Sequence, residues 1–177
     1  MKLMFISDIH GISDNLDKIK EKYEELKCDK LIVLGDLYYI GPRNKMIGDY
    51  NIQKVKEILH SFNNIICIKG NCDSEIDETV NEFPMIDKLG IISTGTVDIY
   101  ITHGHIYNED NWEYNNKVLV YGHFHIPFIK KINDNIFINP GSISLPKEEN
   151  KPTYLIFDNN KFTIYDIYDN IIDEIIV

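Results

Sequence analysis

Carboxylate, amide and imidazole side chains recur along this chain in short motifs, each directly after an apolar run that is typical of a buried strand. The potential metal donors are Asp8, His10, Asp36, Asn71, His103, His123 and His125. Without thiolates, this set suits manganese, iron, zinc and similar dications better than copper(I) or an iron–sulfur cluster. The donors exceed one tetrahedral site, so we expect two sites sharing a carboxylate, with Asp36 as the bridge because its strand lies between the others. Two dications about 4 Å apart would bridge a hydroxide that attacks phosphorus.

The spacing of the histidines separates this interpretation from a structural one. Asp8 and His10, and again His123 and His125, are two residues apart, and in a strand this spacing directs both side chains to one face. Each motif alone has a structural alternative: Asp8 could cap a turn, Asp36 could sit in an ordinary turn, and a single histidine could belong to the core. Several such coincidences at once are improbable, so the motifs together predict a metal centre.

Four further residues follow these motifs and leave alternatives open. Arg43, in the loop after Asp36, could hold a phosphate oxygen together with Asn71, or could be an exposed loop cation. Cys72 could be a weak acid, a packing group or a third ligand, and we expect it to neighbour the substrate. His105 could protonate a leaving oxygen if Gly104 turns the chain, whereas in a regular strand it shares the face of His103. Asp73 could cap the short helix that follows it.

Composition restricts the class of protein. The chain has 177 residues, a formal net charge of -10 and three cysteines without CxxC spacing. This pattern disfavours a disulfide framework, a thiolate zinc site and a long nucleic-acid partner, and it predicts a cytoplasmic protein. No apolar stretch reaches the roughly 20 residues that span a bilayer, so we expect no membrane partner. A small anionic substrate remains compatible because bound metals supply positive charge.

The apolar pattern predicts a single α/β (α+β) domain over residues 1–177. Strands at residues 2–7, 30–34 and 65–69 alternate with two amphipathic helices, the first with Ser13 as its expected N-cap, which indicates a parallel β-α-β-α-β start. Strands dominate from about Ile91 onward, in the runs VDIYIT, KVLVY, FIKKI, NIFIN, TYLIF, KFTIYDI and IIDEIIV. We expect a four-layer αββα sandwich of two mixed sheets flanked by helices. The isoleucines of the closing strands could form the edge of a homo-oligomer or simply a buried core.

The motifs in this order resemble the calcineurin-like metallophosphoesterases, and most of all the small bacterial YfcE-type phosphodiesterases. The resemblance covers essentially the whole chain and rests on SDIHG, GD, GPRN, GNCDSE, THGH, VYGHFH and NPGS. It implies the metallo-dependent phosphatase fold and hydrolysis of small phosphodiesters at two divalent metals, with Mn²⁺ first and Zn²⁺, Fe²⁺, Ni²⁺ or Co²⁺ also compatible. By the same resemblance, the first site is formed by Asp8, His10, Asp36 and His125, and the second by Asp36, Asn71, His103 and His123.

One departure and one alternative follow from the resemblance. The wider superfamily usually has histidine where this chain has Cys72, and that histidine is the usual candidate acid. Cysteine is typical of the YfcE-like branch and implies a preference for good leaving groups such as aryl alcohols. The retromer subunit Vps29 resembles the same fold but acts as a protein-interaction scaffold with degraded metal sites. This chain retains all the donors, which favours an enzyme. A metal-dependent nuclease is disfavoured by the acidic charge.

Overall fold

The computed structural model of the protein describes residues 1–42 and 44–177, and it contains twelve strands and three helices within them. The helices are α1 (Leu16–Glu25), α2 (Ile52–His60) and α3 (Glu75–Val80). The first six strands are β1 (Leu3–Ile6), β2 (Lys30–Val33), β3 (Ile65–Ile68), β4 (Met85–Ile86), β5 (Leu89–Ser93) and β6 (Asp98–Thr102). The last six are β7 (Val118–Tyr121), β8 (Pro127–Ile132), β9 (Asn135–Pro140), β10 (Thr153–Asp158), β11 (Lys161–Asp166) and β12 (Ile171–Ile176).

The strands form two mixed sheets, as the sequence predicts. The first has seven strands in the order β12-β11-β10-β1-β2-β3-β4, in which β1 to β4 pair in parallel and β10 to β12 pair antiparallel. The second has five strands in the order β5-β6-β7-β9-β8, in which β6, β7 and β9 run parallel. The β-α-β-α-β start is confirmed, whereas the short strands β4 and β5 have no counterpart in the sequence prediction.

Alternate residues of the central strands face two different cores. Leu3 and Phe5 of β1 pack between the two sheets, against residues such as Ile101 and Val120 of the second sheet. The intervening residues of β1, Met4 and Ile6, pack under the helices, in a cluster that also holds Leu16, Ile19, Val55 and Leu59 of α1 and α2. Both faces of these strands are therefore buried, which explains why they read as continuous apolar runs.

The outer layers differ between the two sheets. Helices α1 and α2 cover the seven-stranded sheet, but the outer face of the five-stranded sheet carries a small cluster of Leu119, Tyr121 and Phe137. Trp112 packs on this cluster from residues 103–117, a fully described segment that contains no helix. The two-sheet sandwich with flanking helices is thus confirmed, and its outermost layer on this side is an irregular segment.

The start of α1 and the closing strands differ in detail from the sequence prediction. The N-cap of α1 is Asn15, not Ser13, whose hydroxyl instead donates to the carboxylate of Asp49 at 2.8 Å. Among the closing isoleucines, Ile164 is buried between the sheets, whereas Ile171 and Ile176 on the edge strand β12 are exposed. No helix within residues 1–42 and 44–177 is long and apolar enough to cross a membrane.

Candidate metal centre

The predicted donors lie in loops that follow β1, β2, β3, β6 and β7, and these loops meet where the two sheets come together. The loop after β1 pairs with the loop after β2 through the backbone hydrogen bond from Asp8 N to Gly35 O, at 3.1 Å. The second sheet joins them because the amide of His123 donates to Asp8 Oδ2 at 2.9 Å. Asp8 therefore holds a loop of the opposite sheet and does not cap its own turn.

The way these side chains are directed differs from the prediction. Strand β1 ends at Ile6 and β7 ends at Tyr121, so the paired donors lie beyond the strands and strand alternation does not align them. Positive φ angles instead occur at Asp8 (56°), His10 (51°), Asp36 (57°), His123 (68°) and His125 (62°). Left-handed backbone is uncommon for residues other than glycine and clusters at functional sites. The structure thus brings the residues of the i, i+2 pairs together, but the predicted reason, strand alternation, is wrong.

Three histidines are oriented by backbone carbonyls. The Nδ1 atoms of His10, His103 and His125 lie 2.6, 2.6 and 2.7 Å from the carbonyl oxygens of Tyr39, Leu34 and Leu145. Because a carbonyl oxygen only accepts, each Nδ1 carries a proton and each Nε2 is left to face the centre. This arrangement of the second ring nitrogen is the one found in histidines that bind metals.

One group of donors surrounds Asp8. Its Oδ1 atom lies 3.3 Å from His125 Nε2, and the Nε2 atoms of His10 and His125 are 3.3 Å apart. Asp36 completes this group, because its Oδ2 atom is 3.6 Å from His10 Nε2. These four side chains are buried, and their donor atoms converge on one point.

A second group uses the other oxygen of Asp36. The Oδ1 atom lies 3.4 Å from His103 Nε2, which is in turn 3.1 Å from the side-chain oxygen of Asn71. The ring of His123 lies beside that of His103, with 5.2 Å between centroids. The two oxygens of Asp36 therefore face two different groups of imidazoles.

Several contacts in this cluster are unfavourable unless a cation is present. The Oδ1 atom of Asp8 is buried and receives no hydrogen bond from any residue that the structure describes. The Nδ1 atoms of His10 and His125 are both engaged by carbonyl oxygens, so their Nε2 atoms face one another at 3.3 Å. Buried carboxylates and lone pairs in this arrangement have the chemistry of a dication site. The residues present therefore fit two divalent metals.

The titration behaviour of the protein without metals agrees with this. Burial raises the pKa of Asp8, but the neighbouring imidazoles of His125 and His103 outweigh it and hold that pKa below its usual value. Burial lowers the pKa of His103, yet Asp36 and Asp8 raise it overall to about 9. Burial and the charge on His103 lower the pKa of His123 to about 4. The buried carboxylates thus favour the protonated form of His103 when no metal is bound.

The two expected catalytic assistants lie beside this cluster. Gly104 has a φ of 116° and turns the chain after β6, so that the His105 ring lies 5.4 Å from the His103 ring. Burial and the charge on His103 lower the pKa of His105. The Cys72 thiol accepts a hydrogen bond from the side-chain amide of Asn71 at 3.3 Å. Burial and Asp36 raise the pKa of this thiol to about 12, so that it stays protonated.

An open cleft of about 280 Å³ leads to the donors. Besides His10, Asp36, Asn71, Cys72, His123 and His125, it is lined by Asn44, Phe124 and Lys147. The sequence analysis missed the last two. Phe124 could have been identified because it lies between two predicted ligands. Lys147 is brought close by a backbone hydrogen bond to His125 O at 3.1 Å, which no local pattern indicates. Arg43 lies outside the described residues.

Asp73 positions the centre, and the alternative that it caps the following helix is wrong. Its carboxylate accepts the backbone N–H groups of Asp36 (2.8 Å), Leu37 (2.7 Å) and Gly70 (2.7 Å), which ties the loops after β2 and β3 together. Burial raises the pKa of Asp73 to about 6 despite these hydrogen bonds. Ser74 is the N-cap of α3.

The NPGS segment, which spans the end of β9 and the two residues that follow it, supports the centre from the second sheet. The Ser142 hydroxyl donates to the carbonyl oxygen of Asp8 at 2.8 Å, and the Asn139 amide donates to the carbonyl of Gly122 at 2.6 Å. All four residues of the NPGS motif are buried. This motif therefore holds the backbone beside the donors without contributing a donor of its own.

Comparison with known proteins was made with both sequence and structure. The profile described as "Calcineurin-like phosphoesterase superfamily domain" matches residues 1–161. The chain is 35% identical over 172 residues to phosphodiesterase YfcE of Escherichia coli K12, covering 96% of this chain and 94% of that protein. It is 27% identical over 188 residues to the probable metallophosphoesterase YsnB of Bacillus subtilis, covering 99% and 96%.

Solved structures agree with the sequence matches. The E. coli phosphoesterase Yfce superposes with a TM-score of 0.94 at 34% identity, over 99% of this chain and 98% of that one. Vps29 of Entamoeba histolytica in complex with Zn²⁺ superposes with a TM-score of 0.60 at 17% identity, over 99% and 98%. The similarity to Vps29 concerns the fold alone.

Proposed function

Because the chain belongs to the calcineurin-like phosphoesterase superfamily, we propose that it is a metal-dependent phosphodiesterase that hydrolyses small phosphodiesters at a dinuclear centre. The observation that carries the proposal is the position of Asp36. Its two carboxylate oxygens lie 3.6 Å from His10 Nε2 and 3.4 Å from His103 Nε2. One buried carboxylate can thus serve two metal sites at once.

The donors divide between the two proposed sites. Asp8, His10, Asp36 and His125 would hold the first metal, and Asp36, Asn71, His103 and His123 the second. When bound, the metals would supply an activated water and positive charge for the phosphoryl oxygens. Oxygen and imidazole donors suit Mn²⁺, and Zn²⁺, Fe²⁺, Ni²⁺ and Co²⁺ fit the same donor types.

The surrounding residues would bind the phosphate and handle the proton. Asn71 borders the cleft, where the exposed Lys147 and the predicted Arg43 would add positive charge for a non-bridging oxygen. His105 is the first candidate to give a proton to the leaving oxygen. Cys72 is a poor acid with a pKa of about 12, so we assign it a place beside the substrate with at most an assisting role. The rate of hydrolysis should then depend strongly on the stability of the leaving group as an anion.

A protein-interaction scaffold of the Vps29 kind is the alternative, and the donor set argues against it. Carboxylates, amide and imidazoles are all retained and converge, which a scaffold does not require. We further propose that residues 1–177 act as one domain in the cytoplasm. A homo-oligomer, if it forms, would use the exposed isoleucines of the edge strand β12.

Hydrolysis of aryl phosphodiesters tests the proposal. Protein stripped with a chelator should be inactive, and stoichiometric Mn²⁺ should restore turnover of a bis-aryl phosphate. Rates on a series with graded leaving-group pKa should fall steeply as that pKa rises, and His105→Asn should steepen the slope. Full activity after complete metal removal would contradict a metal-dependent enzyme. Rates that do not change with leaving-group pKa would contradict the weak role of acid catalysis.

A further inference from the structure

A second cavity adjoins the metal cleft and has no role in the function proposed above. It has a volume of about 350 Å³, and its walls include the side chains of Tyr38, Tyr39, Tyr50, Ile52 and Cys72. We call it the tyrosine groove. Tyr39 and Ile52 leave 51% and 43% of their surface exposed, so apolar surface faces water at this place. A ligand that covered it would gain hydrophobic and aromatic contact.

The groove borders the metal cleft. Cys72 lines both cavities, and the carbonyl of Tyr39 accepts the Nδ1 proton of His10 at 2.6 Å. The groove thus lies next to the side of the centre that holds His10. A substituent of a phosphate bound at the metals would be within reach of its walls.

Several polar groups in the walls are already paired, which restricts the chemistry of the occupant. The Tyr38 hydroxyl donates to Asn81, and the Tyr50 hydroxyl lies 3.2 Å from the carbonyl oxygen of Tyr38. Asp77 accepts both the amide and the hydroxyl of Ser74. None of the described residues that line the groove is a lysine or an arginine. The groove therefore suits an uncharged flat ring and not a second phosphate.

His105 lies beside the second proposed metal site, whereas the carbonyl of Tyr39 in the groove contacts His10 of the first. The His105 ring is 5.4 Å from the His103 ring and 6.2 Å from the His123 ring, both in the second proposed metal site. If His105 serves the leaving oxygen, the ester that leaves and the ester that stays point to different sides. The groove then receives the ester that stays on phosphorus.

We propose that the tyrosine groove binds the aromatic ring of the non-reacting ester, which makes the protein selective for phosphodiesters with an aryl or nucleoside substituent. This inference rests on the proposed phosphodiesterase function. In the reaction, water adds its oxygen to phosphorus and the P–O bond to the leaving alcohol breaks. The alcohol takes one proton, and the product in the groove is an aryl or nucleoside monophosphate.

The experiment compares diesters that share p-nitrophenolate as leaving group and carry methyl, phenyl or 5′-thymidyl as the second ester. For each ring-bearing diester, kcat/KM is divided by that of the methyl diester, and this ratio is compared between variants so that intrinsic reactivity cancels. Tyr39→Ser and Ile52→Ser should each lower the phenyl or the thymidyl ratio about fivefold or more. The thymidyl and phenyl arms identify whether nucleoside or aryl rings fit better.

The matched control is Tyr168→Ser, since Tyr168 is 65% exposed and lines neither cavity. Its ratios should equal those of the wild type. Unchanged ratios in both groove variants, with hydrolysis of all three diesters intact, would overturn the groove assignment and leave the phosphodiesterase function standing. Failure of the manganese-loaded wild type to hydrolyse any of the three would overturn both.

Discussion

At the scale of single residues, the two oxygens of Asp36 are the centre of the proposed chemistry. Oδ1 accepts the amide of Cys72 at 2.9 Å and faces His103, while Oδ2 faces His10. Burial raises the pKa of Asp36, but His103 and the Cys72 amide lower it well below its ordinary value. The side chain is therefore an anion at every pH at which the protein would work.

Asp36→Asn should remove this charge with little change of shape. The amide oxygen can still accept from Cys72, so the variant should fold, but an amide bridges two dications poorly. We expect lower metal occupancy at both sites and a fall in kcat/KM of about a thousandfold or more. Circular dichroism checks the fold, elemental analysis checks the metals, and Asp98→Asn, an exposed position at the start of β6, is the control. Normal occupancy with normal turnover would exclude Asp36 as the bridge.

At the scale of elements, loops from both sheets approach so closely that their backbones leave no room for side chains. A Cβ atom on Gly122, at the end of β7, would lie 1.8 Å from the Ser7 hydroxyl and 2.7 Å from Asp8 Oδ2. Both neighbours are buried, so they cannot swing into solvent. Glycine at this position is therefore a condition for the contact between the sheets at the centre.

Gly122→Ala should push the loop after β7 away from the loop after β1. We expect a loss of about 2 to 4 kcal/mol in the free energy of unfolding and weaker binding of Mn²⁺. Gly95→Ala is the control, because Gly95 has a φ of +89° but nothing within 4 Å of the added Cβ. Chemical denaturation and manganese titration compare the two. Gly122 itself has no positive φ, so unchanged stability and unchanged manganese binding in Gly122→Ala would contradict the role of the contact.

The turn between β11 and β12 has a pH dependence of its own, away from the metal donors. Asp166 accepts the Tyr168 and Asn170 amides, the Asn170 side chain and Lys151 Nζ. Burial raises its pKa, but these hydrogen bonds lower it overall from 3.8 to about 2. A carboxyl group with a depressed folded-state pKa contributes stability that is present above the unfolded value and lost as the pH falls.

Asp166→Asn should therefore destabilise the protein at neutral pH by roughly 2 kcal/mol or less. The difference from the wild type should shrink as the pH falls from about 4 toward 2, since the native carboxylate is then protonated as well. Urea denaturation at a series of pH values measures it, with Asp134→Asn in the exposed β8–β9 turn as control. A difference that stays constant with pH would show that shape or packing, not charge, is responsible.

At the scale of the whole molecule, the centre links two sheets that otherwise meet through an apolar interface. Asp8, His10, Asp36 and Asn71 come from loops of the seven-stranded sheet, and His103, His123 and His125 from loops of the five-stranded sheet. Metals held by both groups would bind the folded chain and not the unfolded one. They should therefore stabilise the entire fold by mass action.

Saturating Mn²⁺ should raise the melting temperature. At a free Mn²⁺ concentration of about one hundred times the dissociation constant, we expect the free energy of unfolding to rise by roughly 2.7 kcal/mol. For a chain of this size, this corresponds to an increase of about 5 to 10 °C in the melting temperature. Differential scanning calorimetry with manganese or with a chelator measures the shift, and Asp36→Asn should reduce it strongly. An equal shift in the variant would locate the stabilising metal elsewhere.

Local patterns in the sequence determined the type and order of most elements. Apolar runs indicated β1, β2 and β3 and most strands after Ile91, because a strand that is buried on one or both faces needs apolar residues at the buried positions. The candidate donors were also identifiable, since histidines collected in short motifs are not expected of a core. The local signal was weaker at element ends, where Ser13 was expected as a cap and Asp73 was considered as one. Both instead bind residues distant in sequence.

What only the tertiary structure decided is how these pieces meet. The left-handed backbone at the donors, the division of the Asp36 oxygens, the approach of Lys147 to His125 and the tyrosine groove all depend on contacts between residues far apart in the chain. Such contacts arise from the packing of one sheet on the other, and no spacing within a single segment encodes them. The sequence by itself therefore identified the candidate donors, and the packing of the two sheets determined the geometry in which they lie.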